Sequence, residues 1–167
     1  MVHIYCGDGK GKTTAAMGLA LRMAGAGNRV AVGQFFKDGS SSEIALLKAL
    51  PGVSVHHCAT VKGRFANLNE AQKQQAQRDY TAFLRELLSM ECDCLVLDEA
   101  VSSCNHGVIP EAELIAYLKR WGTAREIVLT GRSPSEALLA CADYITEMTK
   151  RRHPFDAGIP ARCGVEY

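Results

Sequence analysis

No stretch of this 167-residue chain approaches the run of about 18 apolar residues that a membrane-crossing helix needs. The N-terminus also lacks the charged, then apolar, then small-residue order of a secretory signal. Neither a membrane partner nor export is therefore expected, and a cytoplasmic setting is. Charge imbalance is missing too: the formal charge is +1. With no acidic tail and no basic excess, composition gives no footing for nucleic-acid binding. No internal repeat or low-complexity linker breaks the sequence, so one domain over 1–167 is expected. Matched cysteine pairs are absent as well. Cys92-x-Cys94 has the wrong spacing for a zinc knuckle. His56, His57 and Cys58 alternate between strand faces. The seven cysteines are therefore read as thiols, with Cys94 buried inside an apolar strand.

What is present begins at once. Val2-His3-Ile4-Tyr5-Cys6 is a β-rich run that enters Gly7-Asp8-Gly9-Lys10-Gly11-Lys12-Thr13-Thr14, and an alanine-rich helical pattern follows from Thr13 to Ala26. Strand, glycine loop and helix in that order mark a phosphate-binding loop. Loop amides and the helix N-terminus form an anion cradle. Lys12 would reach the terminal phosphates, and the Thr13 hydroxyl would sit on Mg²⁺. The loop is a variant, because Cys6 stands where the first glycine of G-x-x-x-x-G-K-[ST] belongs. Arg22, a little over two turns into the helix, could point back over the nucleotide or face water.

Further along, apolar runs read as strands at Arg29 to Phe36, Val53 to His57, Asp93 to Asp98, Arg125 to Thr130 and Ala142 to Met148. Helical periods cover Glu43 to Leu50, Glu70 to Met90, Pro110 to Trp121 and Pro134 to Cys141, with Asn69 a candidate cap. Ala59 to Asn69 reads as a loop carrying Arg64 and Phe65. The fold expected is α/β and P-loop NTPase-like (RecA-like), a mostly parallel sheet of five or six strands flanked by helices. Asp98 and Glu99 close a strand at its C-terminal end, where ligands bind in open α/β sheets. Asp98 would hold the metal directly or through water, and Glu99 would join that shell or position a nucleophile. Arg132 projects from another strand's C-terminal end and could contact phosphate. No side-chain nucleophile with an adjacent base is evident.

Together these stretches resemble the phosphate-loop type of cob(I)alamin (corrinoid) adenosyltransferase. The resemblance rests on Gly7 to Ala16, Gln34-Phe35-Phe36-Lys37 with Glu43, Val96-Leu97-Asp98-Glu99, and Leu129-Thr130-Gly131-Arg132. It continues through Ala142 to Met148 and His153-Pro154-Phe155-Asp156-Ala157-Gly158-Ile159 to Gly164-Val165-Glu166-Tyr167. Cys6 replaces the family's usual threonine, and Ser42 its usual glycine. The Phe-x-Trp element of many members reduces here to Phe65, the single tryptophan lying at Trp121.

The resemblance implies that the 5′-carbon of ATP is the electrophile, that a reduced corrinoid supplies the Co(I) nucleophile, and that the whole triphosphate leaves. It assigns ATP to Gly7, Asp8, Gly9, Lys10, Gly11, Lys12, Thr13, Thr14, Arg22 and Arg132. The metal, Mg²⁺ or Mn²⁺, falls to Thr13, Asp98 and Glu99. Lys12 and Glu99 are expected to be catalytic, and Phe65 and Arg64 to face the corrinoid. A homodimer and a reductase or flavoprotein electron donor are implied partners. The rivals are a P-loop ATPase or kinase, and a non-catalytic nucleotide- or corrinoid-binding module.

Overall fold

The computed structural model describes residues 1–58 and 65–167. In chain order it runs β1 (Val2–Cys6), α1 (Lys12–Gly25), β2 (Val30–Gln34), α2 (Ser42–Ala49), β3 (Val53–His57) and α3 (Glu70–Ser89). Then come β4 (Cys94–Asp98), α4 (Ala100–Asn105), α5 (Glu111–Trp121), β5 (Glu126–Thr130), α6 (Glu136–Leu139) and β6 (Tyr144–Glu147). The six strands form one sheet in the order β3-β2-β4-β5-β1-β6, and every pairing is parallel. The sequence expectation of a mostly parallel α/β sheet is met.

The apolar runs of β2, β4 and β5 are buried because helices cover both faces of the sheet. α1 and α2 press Ala16, Met17, Ala20, Ile44 and Leu47 onto one face. The other face carries Phe83, Leu84 and Leu87 of α3, Val101 of α4, Leu114 and Leu118 of α5, and Leu138 of α6. Asn69 does cap α3: its side chain accepts the Gln72 N–H at 3.0 Å while the Gln72 side chain accepts the Asn69 N–H at 3.0 Å. That reciprocal pair satisfies two donors that the helix itself cannot.

Three features differ from the sequence expectation. α4 was not anticipated; its six residues are too few to show a period, and its start is set by a left-handed Glu99 at φ 63° rather than by a capping side chain. α6 is shorter than the Pro134 to Cys141 pattern, because Ser135 caps it by accepting the Leu138 N–H at 3.2 Å. β6 is shorter than the expected Ala142 to Met148 strand and is exposed on both faces. Among the described residues it is an edge strand paired only with β1.

All six strands being parallel, the loops after β1, β2, β4, β5 and β6 leave from the same end of the sheet. The site stands on that end.

Candidate active site

The loop after β1 is held from two sides. Gly11 adopts φ 115° and turns the chain into α1, a conformation that costs glycine little and other residues much. Lys12 opens the helix and is buried. Its ammonium folds back to donate to the Gly9 carbonyl at 2.7 Å. Burial pushes the Lys12 pKa below its ordinary value, with the Glu99 carboxylate opposing. On the outer side, the Gly9 N–H donates to the Met148 carbonyl at 2.6 Å. The Lys150 N–H donates to Asp8 Oδ1 at 2.8 Å, and that bond draws the Asp8 carboxyl below its ordinary pKa. The chain leaving β6 therefore braces the loop. A Cβ at Gly9 would lie 2.6 Å from the Met148 carbonyl oxygen, so this glycine is required by the brace and not only by approach to phosphate. The amides in the first turn of α1 have no intrahelical acceptors, leaving donors for an anion.

The end of β4 supplies the acid. Asp98 is fully buried. Its Oδ1 accepts from the Thr13 hydroxyl at 2.9 Å and from the Thr130 hydroxyl at 2.7 Å. Its Oδ2 accepts from the Lys37 ammonium at 2.6 Å and, at 3.4 Å, from the Gln34 amide. Lys37 Nζ donates a second bond to Thr13 Oγ1 at 3.1 Å. Gln34 Oε1 is buried with no partner among the described residues. Glu99 follows in the left-handed region, its N–H donating to Thr130 Oγ1 at 2.8 Å and its carboxylate accepting from Ser102 Oγ at 2.6 Å. Thr130 thus relays from the Glu99 backbone to Asp98 and fixes both acids.

Lys37 reaches Asp98 because of how β2 ends. Phe35 is buried against Phe83, ring centroids 5.3 Å apart. Phe36 then turns left-handed at φ 55°, its N–H on the Tyr80 hydroxyl at 3.2 Å. Strain of this kind in a non-glycine residue persists where surrounding structure enforces it, typically at functional sites. Phe36 also lies 6.3 Å from Phe65 and 5.8 Å from His106, ring centre to ring centre. The three rings make an aromatic corner beyond the ends of β2 and β4. A cleft of about 490 Å³ opens beside the loop, lined by Lys10, Thr13, Thr14, Lys37, Glu43 and Tyr167 among others. That volume falls within the about 300–1,000 Å³ typical of small-molecule sites.

A family model described as ATP:corrinoid adenosyltransferase BtuR/CobO/CobP matches residues 1–167. The chain belongs to the ATP:corrinoid adenosyltransferase family. It is 29% identical over 167 residues to a corrinoid adenosyltransferase of Escherichia coli K12, covering 100% of this chain and 85% of that protein. Corrinoid adenosyltransferase CobA of Salmonella typhimurium LT2 is 31% identical over 167 residues, with the same coverage. A corrinoid adenosyltransferase of Pseudomonas aeruginosa is 30% identical over 169 residues, covering 98% of this chain and 82% of the relative.

In this adenosyltransferase chain the structure brings Gly7 to Thr14, Asp98 and Glu99 to one end of the sheet. Arg132 joins them, exposed on the loop after β5 and near enough to act on the charges of Asp8 and Lys12. Arg22 does not join. It lies exposed in the last turn of α1, about 15 Å along the axis from Lys12 at roughly 1.5 Å per residue. Arg64 lies outside the described residues, and Phe65 stands in the aromatic corner. Sequence reasoning gave no role to Lys37, Gln34, Thr130 or Ser102. Gln34, Lys37 and Thr130 do lie in the stretches that carry the resemblance, and Gln34 also closes an otherwise apolar strand, where a buried amide needs a partner.

Proposed function

We propose that the chain transfers the 5′-deoxyadenosyl group of ATP to the Co(I) centre of a reduced corrinoid and releases triphosphate. The cobalt electron pair forms the bond to C5′, the C5′–O5′ bond breaks, and its electrons leave with the triphosphate; cobalt ends formally as Co(III). Because the corrinoid carries the nucleophile, the protein needs no general base, and its work is binding, orientation and charge stabilisation. The observation that carries the reading is the family match over every residue of the chain.

Lys12, Lys10, Arg132 and the first-turn amides of α1 are the groups we assign to the leaving triphosphate. Fixed donors aimed at developing charge are often the largest single contribution to rate. The residues also fit a hard divalent cation, Mg²⁺ or Mn²⁺. Thr13 Oγ1 and the Asp98 carboxylate are adjacent oxygen donors, and the orphaned, buried Gln34 Oε1 lies on the residue next to Asp98 Oδ2. Oxygen-only ligation suits such ions. When bound, the cation would neutralise phosphate charge. Glu99, held by Ser102, completes the acidic side and favours the charged form of Lys12 against its burial. We assign the Phe36, Phe65 and His106 corner to the corrinoid, because three rings cluster there and Phe36 is followed directly by Lys37, which lines the cleft.

The homodimer is assigned to the β6 edge, where Tyr144 and Ile145 are about half exposed and strand groups await pairing. Seven free cysteines fit a reducing compartment, which supports the cytoplasm and a reductase or flavoprotein that keeps cobalt as Co(I).

The test is product analysis. Anaerobic incubation with ATP, Mg²⁺ and chemically reduced corrinoid should give the alkyl-cobalt spectrum and free triphosphate in equal amounts. ADP and phosphate as the only products would instead mark an ATPase or kinase. Binding of both substrates without turnover would mark a non-catalytic module.

A further inference from the structure

Lys37 sits where a metal ion is expected. Its ammonium contacts Asp98 Oδ2 at 2.6 Å and Thr13 Oγ1 at 3.1 Å, the two side chains assigned above to the divalent cation. The Thr13 hydroxyl gives its proton to Asp98 Oδ1 at 2.9 Å, so the lone pair that Lys37 uses is the one a cation would take. A Mg²⁺ ion requires its oxygens at about 2.0–2.1 Å, which leaves no room for an ammonium on the same pair. The two partners differ in freedom. Asp98 is fully buried at a strand end, whereas the Lys37 side chain is 26% exposed on a flexible stem. A carboxylate buried this deeply is costly to leave without a counter-charge. Lys12 does not supply it, because its ammonium is committed to the Gly9 carbonyl.

We propose that Lys37 is the resident cation of the metal seat, holding Thr13 and Asp98 in place most of the time and excluded from the seat once a divalent ion takes it. The proposal rests on the reading of Thr13 and Asp98 as metal ligands. Lys37 thereby keeps the nucleotide-free protein from retaining a divalent ion, and its exit places a mobile cation in the cleft it already shares with Lys10, Thr14 and Glu43. Gln34, whose amide reaches Asp98 Oδ2 at 3.4 Å, acts as a positioning residue that holds the carboxylate through the exchange.

Binding to a site that is free only part of the time is weakened by the fraction free, so a lysine resident nine-tenths of the time weakens metal affinity about tenfold. The experiment uses Mn²⁺ alone, with neither nucleotide nor corrinoid, and reads free Mn²⁺ by electron paramagnetic resonance. Lys37→Met should bind Mn²⁺ at least about tenfold more tightly than wild type. Lys37→Arg, which keeps a cation on the seat, should stay near wild type. Adding Asp98→Asn to Lys37→Met should abolish the gain. Because Lys37→Met leaves Asp98 unpaired and lowers stability, a second readout is the rise in melting temperature on adding Mn²⁺, which should be larger for Lys37→Met than for wild type. Equal or weaker Mn²⁺ binding by Lys37→Met overturns the proposal, as does a gain that survives Asp98→Asn. No arm contains ATP or corrinoid, so failure here and failure of adenosyl transfer are read separately.

Discussion

Replacing Thr130 by valine would test the architecture of the site at a single atom. Thr130 Oγ1 donates to the buried Asp98 Oδ1 at 2.7 Å and accepts the Glu99 N–H at 2.8 Å. Valine keeps the volume and removes both bonds. A hydrogen bond to a charged group is worth about 1.5–3 kcal/mol, and an orphaned buried donor costs about 1–3 kcal/mol. Partial relaxation of Glu99 reduces the sum, so a loss of about 2–4 kcal/mol is expected. In a chain of this size each kcal/mol moves the melting temperature by about 2–4 °C, which gives a fall of about 5–15 °C by calorimetry. Thr130→Ser keeps the hydroxyl and loses one methyl, a cost of about 1 kcal/mol. It should therefore recover most of the stability and most of the metal-dependent activity. A Thr130→Val protein melting within about 3 °C of wild type, or a serine variant no better than the valine one, would refute the relay.

The other predictions follow from the same geometry. Lys12→Ala should lower kcat by about 10²–10³, measured as formation of the cobalt–carbon bond, whereas an unchanged rate would mean that Lys12 does not face the leaving group. Phe65→Ala should reduce turnover with corrinoid more than it weakens ATP binding; equal losses would remove it from the corrinoid face. Burial pushes the thiols of Cys94 and Cys104 up to about 12 and that of Cys58 up to about 11. A raised folded-state pKa gives stability that is intact below the unfolded thiol value of 9.0 and lost as pH rises toward about 12. The slope is at most about 1.4 kcal/mol per pH unit per thiol. Denaturant midpoints should therefore fall above pH 9.0, and less steeply in a Cys94→Ala, Cys104→Ala double variant; identical slopes would contradict the assignment.

The sheet was readable because its central strands are unbroken apolar runs and its helices carry clear periods, features that burial on two faces imposes on sequence. The phosphate loop was readable for a different reason, since its chemistry needs glycines and a lysine at fixed spacing. What escaped were contacts made across the fold. Nothing local in Met148 announces that its carbonyl will take the Gly9 N–H. Nothing local in Lys37 announces a bond to Asp98, 61 positions away. α4 escaped because its six residues show no period and a left-handed Glu99 starts it, its N–H held by Thr130, 31 positions away. Arg22 could have pointed back over the nucleotide or faced water; the rise of α1 carries it to the far end of the helix, where it is exposed.

The account depends most on which atom of ATP is attacked. ATP labelled with ¹³C at C5′ would be incubated with the protein and reduced corrinoid under anaerobic conditions and followed by NMR. The label should move to the position of a carbon bonded to cobalt while unlabelled triphosphate accumulates. Label retained in a ribose that still bears its 5′-oxygen, with phosphate appearing in solution, would contradict the account.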